Sequence, residues 1–246
     1  ATFNKETNDW TIRTDKGTAR APFCIMATGC LSSTNTPNFK GKDSFAGATY
    51  HTGKWPHENV DFTGKRVGII GTGATAVQLI PELAKKAAEL TVYQRTPIWV
   101  VPKVDFRFSE RAKRVFARFP LTQRAIRAVT DTIYELMVSV GVVHYKNTRG
   151  RFNIAAGDLA KMHRFATIRD KELRAKLTPD YDFGCKRPTF SNAFYPALCR
   201  ENVTVETTGI DRIVPDGIVT TDGRTHEVDT IVLGTGFTIA KHSGFA

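Results

Sequence analysis

The sequence predicts an α/β protein with a Rossmann-like parallel sheet, a β-meander and a helical insertion, and a few observations lead to this class. A short apolar strand runs into a glycine turn and then into a helix at residues 65–87. A second short strand follows at 90–93, and a turn-and-strand pattern near residue 14 returns near residue 221. These features together are typical of a fold built from two dinucleotide-binding units.

The glycine turn is the first candidate site. It follows the β-branched run Val67–Ile70 and precedes apolar residues at helical spacing, namely Val77, Ile80, Leu83 and Ala87. Gly71 permits the tight turn, Gly73 lets the backbone approach a pyrophosphate, and Ala76 lets the helix pack on the strand. The candidate cofactor-binding residues here are Gly71, Thr72, Gly73, Ala74, Thr75, Ala76 and Gln78. An ordinary tight turn between strand and helix is the alternative interpretation.

The predicted strand Leu90–Tyr93 ends in Gln94-Arg95-Thr96. NAD-binding folds usually place an Asp or Glu here, on the ribose 2′-hydroxyl. Arg95 can instead donate two parallel charge-assisted hydrogen bonds to a 2′-phosphate, and Thr96 adds a hydroxyl. The sequence therefore predicts NADPH rather than NADH. The alternative is a solvated charge at the end of a strand.

Composition narrows the class of protein. The chain has 246 residues, 41% of them apolar, which suits one large or two small globular domains. We expect no integral membrane segment, and because no signal peptide is visible we expect a cytoplasmic location. The four cysteines and six histidines show no metal-ligand spacing, so no metal site is predicted.

The formal net charge of +11 is concentrated in one helical region. Its basic residues are Arg107, Arg111, Lys113, Arg114, Arg118, Arg124 and Arg127. We interpret them as a solvated helix face, and we expect no nucleic-acid binding because exposed aromatic residues and known motifs are missing. The alternative of another class is a non-catalytic basic module that binds an anionic membrane or nucleic acid.

An internal repeat is the third observation. When Thr14-Asp15 is laid on Thr221-Asp222, Thr28-Gly29 falls on Thr235-Gly236 without a gap. The second copy starts at the glycine turn of Gly71, so the equivalent turn of the first copy would precede residue 1. We therefore expect a middle piece of a longer protein, with Thr28, Gly29, Thr235 and Gly236 as further candidate cofactor-binding residues. Two unrelated hairpins would be the alternative.

The insertion is predicted to begin with an extended segment, Pro97–Phe108, followed by a basic helix that Ser109 caps and that ends near Pro120. A second helix would present Ile126, Val129, Ile133, Met137 and Val140 on one face, which we interpret as a packing face. A third helical stretch is predicted near Arg169–Leu177, and Val203–Glu206 would return the chain to the sheet.

The segment Phe45-Ala46-Gly47-Ala48-Thr49-Tyr50-His51-Thr52-Gly53-Lys54-Trp55-Pro56 matches the pattern F-x-G-x-x-x-H-x-x-x-W-P. In this pattern the chain resembles the Baeyer–Villiger monooxygenases, which belong to the wider group of flavin-containing monooxygenases. The related enzymes that oxidise sulfur or nitrogen typically lack the Trp, so Trp55-Pro56 favours the Baeyer–Villiger side. We expect His51 to be a hydrogen-bonded structural residue, and Phe45 and Trp55 to be packing anchors.

The resemblance implies a flavoprotein with two dinucleotide-binding domains that uses FAD and NADPH. Residues 1–35 would be the C-terminal part of the FAD-binding domain, and 36–64 an inter-domain linker that carries the fingerprint. Residues 65–237 would be the NADPH-binding domain, with a helical insertion at about 105–180, and 238–246 would return towards the FAD domain.

The resemblance also implies a reaction. One oxygen atom of O2 would be inserted next to a ketone carbonyl to give an ester or lactone, with oxidation of sulfur, as in a thioether, or of nitrogen as the alternative. Cys185-Lys186-Arg187 resembles the family's Lys-Arg pair. Lys186 would reach the 2′-phosphate, and Arg187 would be catalytic, since a fixed cation stabilises negative charge on the oxygen nucleophile and its adduct. The substrate and the oligomeric state stay open.

Overall fold

The computed structural model describes residues 1–27, 29, 31–103, 105, 107–139 and 151–238, and the chain divides into two compact units. The first unit comprises residues 1–35 and 237–246, and the second comprises residues 36–236. Thr28, a candidate cofactor-binding residue, and Val140, a predicted packing residue, lie outside the described residues.

The first unit contains a three-stranded antiparallel sheet of β1 (Thr2–Asn4), β2 (Asp9–Thr14) and β3 (Gly17–Ala21), in that order. The sequence pattern predicts that the third of these strands runs from Thr18 to Met26, but the strand ends at Ala21. Residues 23–27 form no strand, and Phe23 and Ile25 are 84% and 91% exposed. A strand needs partners for its backbone hydrogen bonds, and no described residue pairs with this segment.

The second unit contains the remaining elements, and the sequence did not predict two of its helices, Arg151–Thr167 and Phe194–Leu198. The elements are, in chain order, β4 (Ala48–His51), β5 (Arg66–Ile70), α1 (Ala74–Lys86), β6 (Glu89–Tyr93), β7 (Val100–Val101), α2 (Glu110–Arg118), α3 (Pro120–Val138), α4 (Arg151–Thr167), α5 (Lys171–Lys176), β8 (Thr189–Phe190), α6 (Phe194–Leu198), β9 (Val203–Glu206), β10 (Ile210–Val214), β11 (Gly217–Thr220), β12 (Thr225–Glu227) and β13 (Thr230–Leu233).

A five-stranded parallel sheet forms the centre of this unit, with the strand order β4-β13-β5-β6-β9. One face packs against α1 and α6 through a buried cluster that includes Val67 and Ile69 of β5. The other face packs against the antiparallel sheet β10-β11-β12 through a second cluster that includes Ile218 and Ile231. Both faces of the sheet are therefore covered, as parallel sheets require, and its strands are accordingly apolar.

The two three-stranded sheets reproduce the internal repeat. Strands β1-β2-β3 and β10-β11-β12 are both antiparallel and have the same order. At the end of each copy a glycine takes the same left-handed conformation, with φ of 69° at Gly29 and 77° at Gly236. The copies differ after the third strand, where β13 lies within the parallel sheet and residues 23–27 form no strand.

The insertion contains α2 to α5. Ser109 caps α2 as predicted, because its Oγ accepts a hydrogen bond from Ala112 N at 3.2 Å. The predicted packing role of α3 is not met by its described side chains, since Ile126, Val129 and Ile133 are 45%, 59% and 56% exposed. The basic residues of the region are exposed, which agrees with a solvated face. No helix within the described residues is long and apolar enough to cross a membrane.

Part of the segment expected to be a linker belongs to the sheet, because β4 pairs with β13. Gly47 precedes β4 in a crowded position, where a Cβ atom would collide with the carbonyl oxygen of Asp229 and with the ring of Phe45. Trp55 packs with Tyr50 at 5.8 Å and with Phe62 at 6.0 Å between ring centroids. These contacts give Phe45 and Trp55 the packing role that the sequence predicts.

We expect Gly47→Ala to lower the free energy of unfolding by about 1–3 kcal/mol, because the added methyl group overpacks a tight contact between backbone and ring. The matched control is Gly73→Ala, where a Cβ atom would meet nothing within 4 Å. It should change stability by about 1 kcal/mol or less. Urea titration of the intact protein measures both effects, and equal midpoints for the two variants would contradict the expectation.

Candidate dinucleotide-binding site

The glycine turn lies at the carboxyl end of β5, where the backbone is tightly packed. Gly71 has a φ of 106°, and a Cβ atom there would lie 2.6 Å from the carbonyl oxygen of Gly234. A Cβ atom on Gly234 would in turn lie 3.1 Å from the Cβ of Ala76. A small residue is thus required at each of these positions, which explains the pattern that the sequence presents.

The N-terminus of α1 faces open space. Gly73 is the N-cap residue, has no side chain to cap the helix, and would place a Cβ atom more than 4 Å from any neighbour. The first helical bond runs from Val77 N to Gly73 O at 2.9 Å, so the N–H groups of Ala74 and Thr75 have no acceptor within the helix. These donors, together with the helix dipole, favour an anion such as a phosphate.

Two other candidate residues near the turn have defined partners. Thr72 is buried, and its hydroxyl donates to the carbonyl oxygen of Thr96 at 3.4 Å. This bond joins the glycine turn to the segment that follows β6. Gln78 is exposed one turn into α1, and its amide nitrogen donates to Ala74 O at 3.3 Å. The side chain of Thr72 therefore has a structural partner, whereas Gln78 stays on the exposed face of the helix.

Gln94, the residue after β6, anchors the chain where it leaves this strand. Gln94 is buried, and its side-chain amide donates to Lys176 O at 2.7 Å while its backbone N–H donates to Glu206 O at 2.8 Å. The next residue, Arg95, is exposed and makes no ion pair within the described residues. The guanidinium is therefore available to a ligand at the carboxyl edge of the sheet.

An acid near this edge is neutralised within the fold. The Glu206 carboxylate is buried, accepts a hydrogen bond from Thr208 N at 2.7 Å, and pairs with Arg224 at 3.0 Å. Burial raises the pKa of Glu206, but the Thr208 hydrogen bonds and the Arg224 charge outweigh this effect and hold the pKa below its usual value. Burial, followed by the charge of Glu206, raises the pKa of Tyr93. The negative charge of Glu206 is thus matched by Arg224 and leaves Arg95 uncompensated.

Lys186 and Arg187 lie in a segment without regular structure between α5 and β8. Lys186 Nζ lies 4.5 Å from the centre of the Tyr181 ring, and the Tyr181 hydroxyl donates to Pro97 O at 3.0 Å. Tyr181 thus links Lys186 to the segment that carries Arg95. Arg187 is exposed and has no acidic partner within the described residues.

The closing strand ends beside the fingerprint histidine. His51 is buried, and its Nδ1 accepts a hydrogen bond from Gly53 N at 2.9 Å, so the proton lies on Nε2. His51 Nε2 lies 3.3 Å from the hydroxyl of Thr235. His51 therefore joins the end of β4 to Thr235-Gly236, as expected of a structural residue.

The sequence reasoning missed Tyr181, the Thr72 hydroxyl bond and the anchoring role of Gln94. Each depends on a contact between residues more than 20 positions apart, so no local spacing could indicate it. Among the residues that the structure describes, no three His, Cys, Asp or Glu side chains are grouped to hold a metal ion.

Comparisons with known proteins agree with this architecture. The chain is similar to a Baeyer–Villiger monooxygenase of Streptomyces coelicolor, with 40% identity over 228 residues that cover 93% of this chain and 43% of the relative. The open crystal structure of cyclohexanone monooxygenase matches with a TM-score of 0.77 and 30% identity, over 96% of this chain and 52% of that chain. The crystal structure of OTEMO in complex with FAD and NADP gives 0.77 and 29%, over 96% and 51%.

The chain thus spans about half the length, or less, of the proteins that it matches. The resemblance to Baeyer–Villiger monooxygenases and the predicted fold class, α/β with two dinucleotide-binding domains, are confirmed by these matches. A family model described as pyridine nucleotide-disulphide oxidoreductase matches residues 1–156. The chain therefore belongs to the pyridine nucleotide-disulphide oxidoreductase family.

Proposed function

We propose that this chain forms the NADPH-binding domain and part of the FAD-binding domain of a Baeyer–Villiger monooxygenase. The observation that carries the proposal is the uncapped N-terminus of α1, which opens at Gly73 towards the same edge of the sheet as Arg95. The helix N-terminus suits the pyrophosphate, and Arg95 suits a 2′-phosphate. Residues 65–237 are the proposed NADPH domain, 36–64 the proposed inter-domain linker with the fingerprint, and 1–35 with 238–246 the proposed FAD-domain part.

The proposed reaction consumes one O2, one NADPH and one proton for each ketone, and yields an ester or lactone, NADP⁺ and water. FAD supplies the capacity to accept a hydride from NADPH and to activate O2. The residues of this chain bind and orient the nicotinamide cofactor through Gly71–Ala76, Arg95, Thr96 and Lys186. Arg187 stabilises negative charge on the reacting oxygens. A cytoplasmic location is part of the proposal, since the enzyme would draw on the NADPH of the cell.

The first test is the visible absorption spectrum of the intact protein before and after NADPH is added without oxygen. We expect a flavin band that NADPH bleaches and that returns when air is admitted. A ketone and a thioether are then supplied with O2, and the products are identified. Ester or lactone formation supports the proposal, whereas sulfoxide formation alone would assign the enzyme to the group that oxidises heteroatoms. A colourless protein would contradict the proposal.

We expect Arg95→Ala to reduce the preference for NADPH over NADH by about tenfold, because charge-assisted hydrogen bonds to the 2′-phosphate are lost. The measurement compares kcat/KM for flavin reduction by the two cofactors. Arg111→Ala, which removes an exposed arginine from α2, is the matched control and should leave the preference unchanged. An unchanged preference in Arg95→Ala would remove Arg95 from the 2′-phosphate site.

We expect Arg187→Ala to leave flavin reduction by NADPH largely intact and to lower ester formation by about a hundredfold or more, since a fixed charge near the reacting oxygens is lost. Rapid-mixing spectroscopy follows the reduction, and product analysis follows the oxygen insertion. Arg187→Lys should recover part of the ester formation because it keeps a positive charge. Ester formation at the normal rate in Arg187→Ala would exclude a catalytic role for this residue.

A further inference from the structure

Lys186 is proposed to bind a phosphate, but neither a helix nor a strand fixes the segment that carries it. Residues 177–188 connect α5 to β8, and Lys186 itself is exposed. A long flexible ammonium side chain at such a place loses conformational entropy when it binds a phosphate. A group that holds the ammonium in place before the ligand arrives would reduce this loss.

Tyr181 is fixed at both ends to the segment that follows β6. Its hydroxyl donates to Pro97 O at 3.0 Å, and its carbonyl oxygen accepts a hydrogen bond from Trp99 Nε1 at 2.9 Å. Burial raises the pKa of the Tyr181 hydroxyl, which therefore remains protonated and able to donate at neutral pH. The ring is thus held against the segment that begins at Arg95.

The Tyr181 ring contacts Lys186 without neutralising it. Lys186 Nζ lies 4.5 Å from the ring centre, within the range of a cation–π contact. Lys186 makes no ion pair within the described residues, although Asp180 and Asp182 flank Tyr181 in the sequence. A carboxylate would hold the ammonium but would also compete with a phosphate for it. An aromatic face holds the ammonium and leaves its full charge to the ligand.

We propose that Tyr181 is a positioning residue for cofactor specificity. It holds Lys186 beside the segment that carries Arg95, so that both cations reach one phosphate group of the nicotinamide cofactor. Tyr181 acts through Lys186 and does not itself bind the cofactor. The inference rests on the proposed NADPH site and adds to it the residue that arranges its second cation.

The test compares the dissociation constants of NADP⁺ and NAD⁺ for the intact protein by titration calorimetry. We expect Tyr181→Leu to weaken NADP⁺ binding about two- to fivefold and to leave NAD⁺ binding unchanged. Tyr181→Phe keeps the ring under Lys186 and should recover most of the NADP⁺ affinity. If Tyr181→Leu fails to fold, Tyr181→Phe provides the test instead. A loss of NADP⁺ affinity in Tyr181→Phe as large as the loss in Lys186→Gln would contradict the role of the ring.

Phe183→Leu is the matched control, because the Phe183 ring lies in the same segment and packs on Trp99 at 5.7 Å. It should not change the ratio of the two dissociation constants. In a Lys186→Gln background, Tyr181→Leu should have no further effect on NADP⁺ binding. An equal loss for both cofactors, or an additional loss in the Lys186→Gln background, would overturn the inference.

The failure of this inference is distinguishable from that of the proposed function. A native protein that prefers NADP⁺, together with variants Arg95→Ala and Lys186→Gln that lose this preference, supports the proposed site whatever Tyr181→Leu does. An unchanged preference in Tyr181→Leu would then overturn the role of Tyr181 alone. A native protein that binds NADP⁺ and NAD⁺ equally would overturn both proposals.

Discussion

The close approach of two backbone segments at the carboxyl edge of the parallel sheet is the constraint on which the rest of the second unit depends. A Cβ atom on Gly71 would collide with the carbonyl oxygen of Gly234, and a Cβ atom on Gly234 would lie only 3.1 Å from the Cβ of Ala76. This contact joins the central strands β5 and β13 and fixes the start of α1. Because the helix begins where the strands end, its first N–H groups open at the same edge of the sheet as Arg95.

The fingerprint segment acquires a structural meaning from the same edge. Gly47 allows the chain to pass Asp229, β4 then pairs with β13, and His51 reaches Thr235 at the end of that strand. A pattern that reads as a linker in the sequence is therefore attached to the strand that closes the sheet. Gly47 and His51 of this segment contact residues more than 180 positions away in the sequence. Composition alone therefore does not reveal that the segment packs against the closing strand.

The parts of the fold that the sequence predicts are those whose cause is local. Strand β5, the glycine turn and α1 follow from a β-branched run, two glycines and helical spacing, and Ser109 marks the start of α2. Helix α4 was not predicted, and it contains Gly157, whose Cβ would lie 3.1 Å from Phe183. Glycine disfavours a helix locally, and the reason for its presence is a contact that only the folded chain provides.

The part of the predicted strand Thr18–Met26 that lies beyond Ala21 does not form, for the opposite reason. Its apolar sequence has the character of β13, its counterpart in the repeat, but a strand forms only where neighbouring backbone can accept and donate its hydrogen bonds. The candidate site shows the same limit. Basic charge alone does not identify Arg95, Lys186 and Arg187 as site residues, because α2 and α3 also carry exposed arginines.

The candidate site cations differ from two structural arginines of the second unit, which have carboxylate partners. Arg66 and Arg224 are paired with carboxylates, Asp229 and Glu206 respectively, whose pKa values are held below the usual range. Within the described residues, Arg95 and Lys186 have no acidic partner, and Tyr181 and Pro97 bring their segments together. The pairing of Arg66 and Arg224 with carboxylates, and the lack of such a partner for Arg95 and Lys186 among the described residues, is the charge pattern that the proposed phosphate site requires.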